Sequence, residues 1–188
     1  FCYNISMRVT AGKFKGRNLI DNKYEHIRPT ADMVKQAIFN KLAVDLPGSR
    51  VLDLFCGTGA LGIEALSRGA REVVFIDKDP RSVNLAKANL EKLGIKEGFH
   101  LYKASYETAL EKLEGQFDII ILDPPYASGL YETCVKKIAE KNLLSPEGII
   151  VVEHEKRDNF DYSPFNVVDE KTYGIKTVTY LKIENYGN

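Results

Sequence analysis

The amino-acid sequence predicts an α/β fold with a mostly parallel, doubly wound sheet closed by an antiparallel hairpin. Three observations lead to this prediction. Short apolar runs rich in β-branched residues alternate with segments of helical periodicity, which is typical of right-handed βα crossovers. A glycine-rich stretch joins the first of these runs to the following helix. Two consecutive strand patterns end the chain, and together they would place one antiparallel strand in the sheet.

The boundaries of the predicted elements follow from the apolar patterns and their stop signals. Gly69 and Gly94 would end the first two helices of the alternating region. The predicted parallel strands span 50–55, 72–77, 99–103, 117–122 and 148–152, and the helices span 60–68, 81–93, 106–113 and 130–141. The closing hairpin would pair 166–171 with 176–183.

The N-terminal region has a different pattern. Residues 7–20 carry two short alternating segments around Gly12 and Gly16, which predicts a small β-hairpin. Residues 22–29 are polar and loop-like, and Thr30 can cap a helix that runs through residue 42. We therefore expect residues 1–48 to form a basic appendage of hairpin and helix, and residues 49–188 to form the main domain.

The composition is that of a soluble globular protein. The chain has 188 residues, of which 44% are hydrophobic and 28% are charged. No apolar run approaches the ~20 residues that span a bilayer, and the first six residues lack the features of a signal peptide. Cys2, Cys56 and Cys134 are widely spaced, which favours reduced thiols and argues against a zinc site. We expect a cytoplasmic protein with no metal and no membrane contact.

The net charge of zero conceals an asymmetry along the chain. Residues 1–50 hold nine Lys or Arg and four acidic residues, and residues 1–20 hold no acid. The basic residues of this first stretch are Arg8, Lys13, Lys15 and Arg17. Such an arm is typical of a nucleic-acid contact, although a solvated surface hairpin has the same composition.

The segment VLDLFCGTGALG predicts a nucleotide-binding loop. A strand leads into GxGxxG and then into a helix, and Asp77 ends the next strand twenty residues after Gly57. Gly57 and Gly59 let a nucleotide approach the backbone, and Asp77 can accept hydrogen bonds from ribose hydroxyls. A structural glycine turn is the less favoured alternative. Asp79 competes for the ribose, but it precedes Pro80 and can instead cap the next helix.

Asp53 favours S-adenosylmethionine (SAM) over a dinucleotide as the cofactor. A carboxylate at this turn would repel an anionic pyrophosphate, whereas it attracts the sulfonium and ammonium groups of SAM. The alternative is that Asp53 only caps the loop or pairs with a neighbouring basic residue. Adenine is expected near residues 103–106, where Ser105 could bind its exocyclic amine. The predicted cofactor-binding residues are Asp53, Phe55, Gly57, Thr58, Gly59, Asp77, Lys78, Ser105 and Tyr106.

The tetrapeptide DPPY follows the buried strand pattern FDIIIL and predicts a site for a planar group that carries an NH2. Asp123 and the Pro124 carbonyl can accept the amine hydrogens, because two consecutive prolines remove competing N–H donors. Pro125 leads to Tyr126, whose ring offers a stacking surface. These four residues are the predicted catalytic set. A base in a duplex could not reach such a pocket, so an unpaired or flipped nucleotide is implied. A proline-rich structural turn is the alternative.

These motifs resemble class I SAM-dependent methyltransferases of the Rossmann-like type, and more narrowly the RsmD family. The resemblance extends from residue 7 to about residue 183 and rests on MRVTAGKFKGRNL, RPTADMVKQAIFNKL, VLDLFCGTGALGIEALSRGA, VVFIDKDP and DPPY. It implies methylation of guanine N2 in 16S rRNA of the small ribosomal subunit or an assembly intermediate, by a monomeric enzyme. It also implies that rRNA is held by Arg8, Lys13, Lys15, Arg17 and Arg28.

Two positions depart from the family pattern. Lys35 and Gln36 stand where the family usually has Arg and Glu, and Ser105 stands where Asn or Asp is common. Other functions are compatible with parts of the sequence. They are a DNA amino-methyltransferase, which would need a target-recognition domain, a protein-glutamine methyltransferase, which typically has Asn at the position of Asp123, and a non-enzymatic SAM-binding RNA module.

Overall fold

The computed structural model describes residues 7–21, 29–124, 129–156 and 159–184, with the backbone alone described at residues 29 and 30. In this part of the chain, the helices are α1 (Pro29–Lys41), α2 (Ala60–Ser67), α3 (Pro80–Lys92), α4 (Tyr106–Lys112) and α5 (Leu130–Glu140). The strands are β1 (Arg50–Asp53), β2 (Glu72–Asp77), β3 (Phe99–Lys103), β4 (Phe117–Leu122), β5 (Leu144–Glu155), β6 (Phe165–Tyr173) and β7 (Lys176–Ile183). No helix in the described ranges is long and apolar enough to cross a membrane.

The strands form one sheet in the order β3-β2-β1-β4-β5-β7-β6. Strands β1 to β5 are parallel, and β7 pairs antiparallel with both β5 and β6. This arrangement confirms the predicted doubly wound sheet and its closing hairpin. The strand order reverses between β1 and β4, and open α/β sheets bind ligands at the carboxyl ends of the strands at such a point.

Two apolar clusters lie on opposite faces of the sheet. Residues 7–20, α1, α2 and α3 pack on one face, which we call the α2/α3 face, with Val51, Phe75 and Ile121 from the sheet. Helices α4 and α5 pack on the other, the α4/α5 face, with Leu52, Ile76 and Leu122. Consecutive strand residues alternate between the two faces, so the face of each strand-end side chain can be read from the residue before it.

Local packing explains how closely α2 lies against β2 and where α3 begins. A Cβ at Gly62 would lie 2.2 Å from the ring of Phe75, so only glycine lets α2 approach β2 at this distance. Helix α3 begins where the Asp79 carboxylate accepts the Arg81 N–H at 2.8 Å, with Pro80 in its first turn. The sequence-based expectation that Asp79 caps a helix is therefore confirmed.

The structure corrects the predicted bounds of α1 and β5, and β1 ends at Asp53 instead of residue 55. Helix α1 begins at Pro29, so Thr30 lies inside the helix and is not its cap; proline suits the first helical position because it has no N–H to leave unpaired. The predicted loop 22–29 lies outside the described residues except for residue 29. Strand β5 is longer than 148–152, because Leu144 pairs with β4 and Glu155 pairs with β7.

The predicted hairpin at 7–20 is only partly formed. The chain folds back on itself, but the described segment has a single antiparallel bridge, between Arg8 and Asn18. The backbone N–H groups of Thr10 and Phe14 donate to the side chains of Glu64 and Ser67 in α2, at 3.0 and 2.9 Å. Donors used in this way cannot extend a cross-strand ladder. We call residues 7–20 the arm.

Candidate functional site

Four carboxylate side chains mark the carboxyl ends of four neighbouring strands. In spatial order they are Asp77 on β2, Asp53 on β1, Asp123 directly after β4, and Glu153 on β5. The residue before each one packs on the α4/α5 face: Ile76, Leu52, Leu122 and Val152. By alternation the four carboxylates are on the α2/α3 face, together with the glycine loop and the arm. The topology therefore brings the predicted cofactor and acceptor residues to one edge of the sheet.

The glycine loop is tied to β2 through Asp77. One oxygen of the Asp77 carboxylate accepts the Gly57 N–H and the other accepts the Asp79 N–H, both at 2.9 Å. Gly57 and Gly59 have φ angles of +52° and +81°, which L side chains rarely adopt. Apart from Gly57 and its two chain neighbours, no heavy atom of the described residues lies within 4 Å of the place that a Cβ would take at Gly57. A ligand can approach the backbone there, and each Asp77 oxygen has capacity for a second hydrogen bond.

Asp53 is buried beneath this loop with 1% of its surface exposed. Its Oδ2 accepts the Gly62 N–H at 3.0 Å in the first turn of α2, as the capping alternative anticipated. Burial raises the pKa of Asp53 to about 7, the Gly62 N–H lowers it, and the charge of Asp77 raises it. Because a cation beside it would favour the ionised form, Asp53 can cap α2 and also stabilise a positively charged ligand.

The predicted adenine side is bounded by two aromatic rings. The centroids of Phe55 and Tyr106 are 5.9 Å apart, with the rings tilted by 45°. Ser105 is the N-cap of α4, where its Oγ accepts the Thr108 N–H at 3.3 Å. Lys78 is exposed after the end of β2. The contacts of Ser105, Tyr106 and Lys78 with adenosine stay predictions.

The predicted acceptor site is partly described. Asp123 is half-buried and Pro124 is buried, directly beyond the pair Leu122 and Val152 of the β4–β5 ladder. Pro125 and Tyr126 lie outside the described residues, so their predicted roles in carrying and stacking the base stay predictions.

The arm presents its basic side chains to solvent. Arg8, Lys13, Lys15 and Arg17 are all exposed. The Arg8 guanidinium lies 3.5 Å from the Asp32 carboxylate, and an Arg17 N–H donates to the Lys92 carbonyl at 3.3 Å. Both side chains remain exposed to solvent in spite of these contacts. Arg28 lies outside the described residues.

A buried ionic cluster, which we did not predict from the sequence, holds the arm on α2. Glu64 is fully buried and accepts the N–H groups of Thr10 and Ala11, at 3.0 and 3.1 Å. It pairs with Arg68 at 3.0 Å and with Lys35 at 3.6 Å. Lys35, at the position where the family pattern has Arg, is itself buried and retains an ion pair.

Asn89 is a second residue that sequence reasoning missed. It is fully buried in α3, and its Nδ2 donates to the carbonyls of Thr58 and Ile20, at 2.9 and 3.0 Å. Its Oδ1 accepts the Ile20 N–H at 2.6 Å. Asn89 thus joins the glycine loop to the end of the arm. The available signal was a polar residue beside Leu90 and three positions after Ala86, on the apolar side of the helix.

The remaining candidates do not add chemistry to this edge. Cys56 and Cys134 are buried, and burial raises the pKa of both thiols, so they are protonated packing residues. Within the described ranges, no group of three or more His, Cys, Asp or Glu residues is arranged to hold a metal ion. A cavity of about 290 Å³ lies beside Leu144 and Phe165, at the starts of β5 and β6 and away from the carboxyl-end edge.

Comparison with known proteins agrees with this geometry. The family model described as "Conserved hypothetical protein 95" matches residues 7–182. Ribosomal RNA small subunit methyltransferase D of Haemophilus influenzae is 38% identical over 184 residues, which cover 95% of this chain and 94% of that protein. The resemblance inferred from the motifs is therefore confirmed.

Solved structures agree as well. A presumed methyltransferase of Escherichia coli superposes with a TM-score of 0.85 at 26% identity, covering 95% of this chain and 98% of its own. A presumed methylase of Haemophilus influenzae superposes with a TM-score of 0.79 at 34% identity, covering 95% and 99%. The chain therefore belongs to the family described as "Conserved hypothetical protein 95", the RsmD family, and is a SAM-dependent methyltransferase.

Proposed function

We propose that the chain transfers the methyl group of SAM to the exocyclic N2 amine of a guanine in 16S rRNA. The observation that carries this proposal is the juxtaposition of the glycine loop and Asp123 on the adjacent strands β1 and β4. A methyl donor bound at one strand end would then lie beside an acceptor held at the next. The Haemophilus influenzae relative is named as a ribosomal RNA small subunit methyltransferase, which supports the class of substrate.

The residues present fit SAM. A ligand can approach the backbone at Gly57. Both oxygens of Asp77 can accept hydrogen bonds from hydroxyl groups, and the buried carboxylate of Asp53 suits a cationic group. SAM supplies a methyl group on a sulfonium. Asp53 would stabilise the positive charge of the cofactor, and Asp77 would accept hydrogen bonds from the ribose hydroxyls. The aromatic pair Phe55 and Tyr106 bounds the adenine side.

The acceptor residues make the amine reactive. The lone pair of an exocyclic amine is delocalised into the ring, so the amine is a poor nucleophile. When Asp123 and the Pro124 carbonyl accept its hydrogens, the nitrogen pyramidalises and its lone pair is localised towards the methyl group. During the transfer the bond between the methyl group and the sulfonium sulfur would break as the bond to nitrogen forms, so that a neutral thioether leaves and the positive charge passes to the nitrogen. The charge is dispersed over both atoms in the transition state, and a dry, oriented site therefore favours the transfer. The extra proton can leave after transfer, so no strong general base is needed.

The arm would hold the rRNA. Its exposed basic side chains belong to a segment that packs on the same face of the sheet as the strand-end carboxylates. Arg28 is proposed from the family resemblance to contact the rRNA as well. We assign residues 1–48 to rRNA contact and residues 49–188 to methyl transfer. A domain of this size offers little surface for reading a sequence. We therefore favour rRNA shaped within the small subunit or an assembly intermediate, bound by a monomer in the cytoplasm without a metal.

The test is transfer of labelled methyl from SAM to four substrates: unmethylated small subunits, naked 16S rRNA, duplex DNA and a release-factor peptide. We expect label in rRNA, in one or both of its forms. Label in DNA or in the peptide, with none in rRNA, would overturn the proposal.

A further inference from the structure

Glu153 lies beside Asp123 at the end of the neighbouring strand. Strands β4 and β5 pair in parallel, with Ile121 opposite Val151 and Leu122 opposite Val152. The next residues in this register are Asp123 and Glu153, whose backbones are expected about 4.8 Å apart. Since β1 lies on the other side of β4, the order along the edge is glycine loop, Asp123, Glu153.

The Glu153 side chain is held in place at this edge. It is 16% exposed, and its Oε1 lies 3.8 Å from the Lys176 ammonium. The Glu153 carbonyl accepts the Tyr131 hydroxyl at 2.7 Å, which fixes the end of β5. Burial raises the pKa of Glu153, whereas the charges of Lys176 and His154 lower it. A single ammonium does not use all the acceptor positions of a carboxylate, so this one can accept a further hydrogen bond.

Guanine carries two adjacent donors on its Watson–Crick edge, the N2 amine and the N1–H. We propose that Glu153 accepts the N1–H while Asp123 and the Pro124 carbonyl accept the hydrogens of N2, so that Glu153 sets the specificity for guanine. This inference rests on the proposed function. Adenine and cytosine present a ring-nitrogen acceptor next to their amine, and that acceptor would face the carboxylate without a hydrogen bond.

The order of the strands from the methyl donor agrees with this assignment of the two base donors to Asp123 and Glu153. The amine that receives the methyl must lie nearest β1, and therefore at Asp123. The ring N1 lies one position further along the edge of the base, and Glu153 lies one strand further along the edge of the sheet. A flipped base read in this way would meet an acceptor opposite each of its donors.

The test uses 2-aminopurine, which keeps the N2 amine but has an acceptor at N1. Once the methylated guanine is mapped, small subunits are assembled with rRNA that carries guanine or 2-aminopurine at that position. Single-turnover transfer is then compared for the wild-type chain, Glu153→Gln and Glu147→Gln. The last is a control, because Glu147 is an exposed carboxylate towards the other end of β5.

We expect the wild-type chain and Glu147→Gln to prefer guanine by at least about tenfold. Glu153→Gln should reduce this preference at least about tenfold, because the glutamine amide can donate to the N1 of 2-aminopurine. A preference in Glu153→Gln equal to that of the wild-type chain would overturn the inference. Equal transfer to both bases by the wild-type chain would also overturn it.

Binding provides a second measurement if Glu153→Gln transfers too slowly to either base. With S-adenosylhomocysteine present, the affinity ratio for the guanine and 2-aminopurine subunits should shift towards 2-aminopurine in Glu153→Gln. An unchanged ratio, in a variant that unfolds at the wild-type temperature, would overturn the inference. These outcomes are distinct from failure of the proposed function, in which the wild-type chain would transfer nothing to guanine.

Discussion

The two halves of the carboxyl-end edge use their carboxylates differently. In the cofactor half, on β1 and β2, Asp53 accepts one backbone N–H and Asp77 accepts two. In the acceptor half, Asp123 is followed by two prolines that contribute no N–H, and Glu153 lies 3.8 Å from a lysine. Backbone N–H groups thus hold the carboxylates of the cofactor half, whereas in the acceptor half Glu153 lies beside a side-chain cation and Asp123 precedes residues without N–H groups. A change in either half should therefore affect a different step.

The largest effect is expected in the acceptor half. Asp123→Ala removes an acceptor for the amine hydrogens and should slow methyl transfer about 10²- to 10³-fold. The affinity for SAM, measured by calorimetry, should change less than about twofold, because the proposed cofactor contacts lie at the ends of β1, β2 and β3. Asp123→Asn keeps one acceptor oxygen and should retain more activity than the alanine variant. Full activity of Asp123→Ala would remove this residue from the mechanism.

Asn89 tests whether the cofactor half depends on the arm. Asn89→Ala breaks three hydrogen bonds to Thr58 and Ile20 and should destabilise the fold by about 2–3 kcal/mol in urea unfolding. It should also weaken SAM binding about 3- to 10-fold, because the Thr58 carbonyl loses its anchor.

The matched control is Asn84→Ala, which changes an exposed asparagine on the same helix. If Asn89→Ala binds SAM as the control does, the glycine loop is fixed without the arm.

The buried carboxylate of Asp53 predicts a pH dependence of cofactor binding. Its pKa in the folded protein is raised to about 7, so the uncharged form dominates below that pH and the carboxylate above it. A cationic ligand favours the carboxylate, so SAM affinity should fall about tenfold from pH 8 to pH 6. The comparison is Asp53→Asn, whose affinity should be lower at pH 8 and should vary less with pH. The same slope in both proteins would show that another group titrates.

The same group affects stability in the opposite direction. A raised pKa means that the folded chain binds more protons than the unfolded chain between about pH 4 and pH 7. Without cofactor, the contribution of Asp53 to stability is therefore present at low pH and is lost as the pH rises through 7.

The smallest effect is expected from the arm. Changing Lys13, Lys15 and Arg17 to Gln should weaken rRNA binding about 3- to 10-fold and reduce the slope of log affinity against log salt by about 2. SAM affinity should be unchanged, because these three side chains are exposed and do not take part in the buried contacts that hold the arm on α2 and α3. The control changes Lys112, Lys136 and Lys141, which are exposed basic residues of the α4 and α5 region. If both triple variants show the same slope of log affinity against log salt, the arm is a solvated hairpin that does not contact rRNA.

The sequence predicted the features that depend on local pattern. Alternating apolar runs gave the strands, and the register of parallel strands brought the glycine loop and Asp123 to one edge. The cap at Asp79 was also readable, because an aspartate before proline is a local signal. By contrast, Glu64 and Asn89 form contacts with residues 53 to 69 positions away, and no local pattern specifies these partners. The arm has a single bridge for the same reason, because some of its N–H groups donate to side chains of α2 that are distant in the sequence.

The most direct test of the central claim is the chemical identity of the product. Unmethylated small subunits are incubated with the chain and SAM, and their 16S rRNA is digested to nucleosides for mass spectrometry. We predict a gain of N2-methylguanosine that is absent with Asp123→Ala. A methyl group found on adenine, on cytosine or on another position of guanine would contradict the account of Asp123, Pro124 and the target amine.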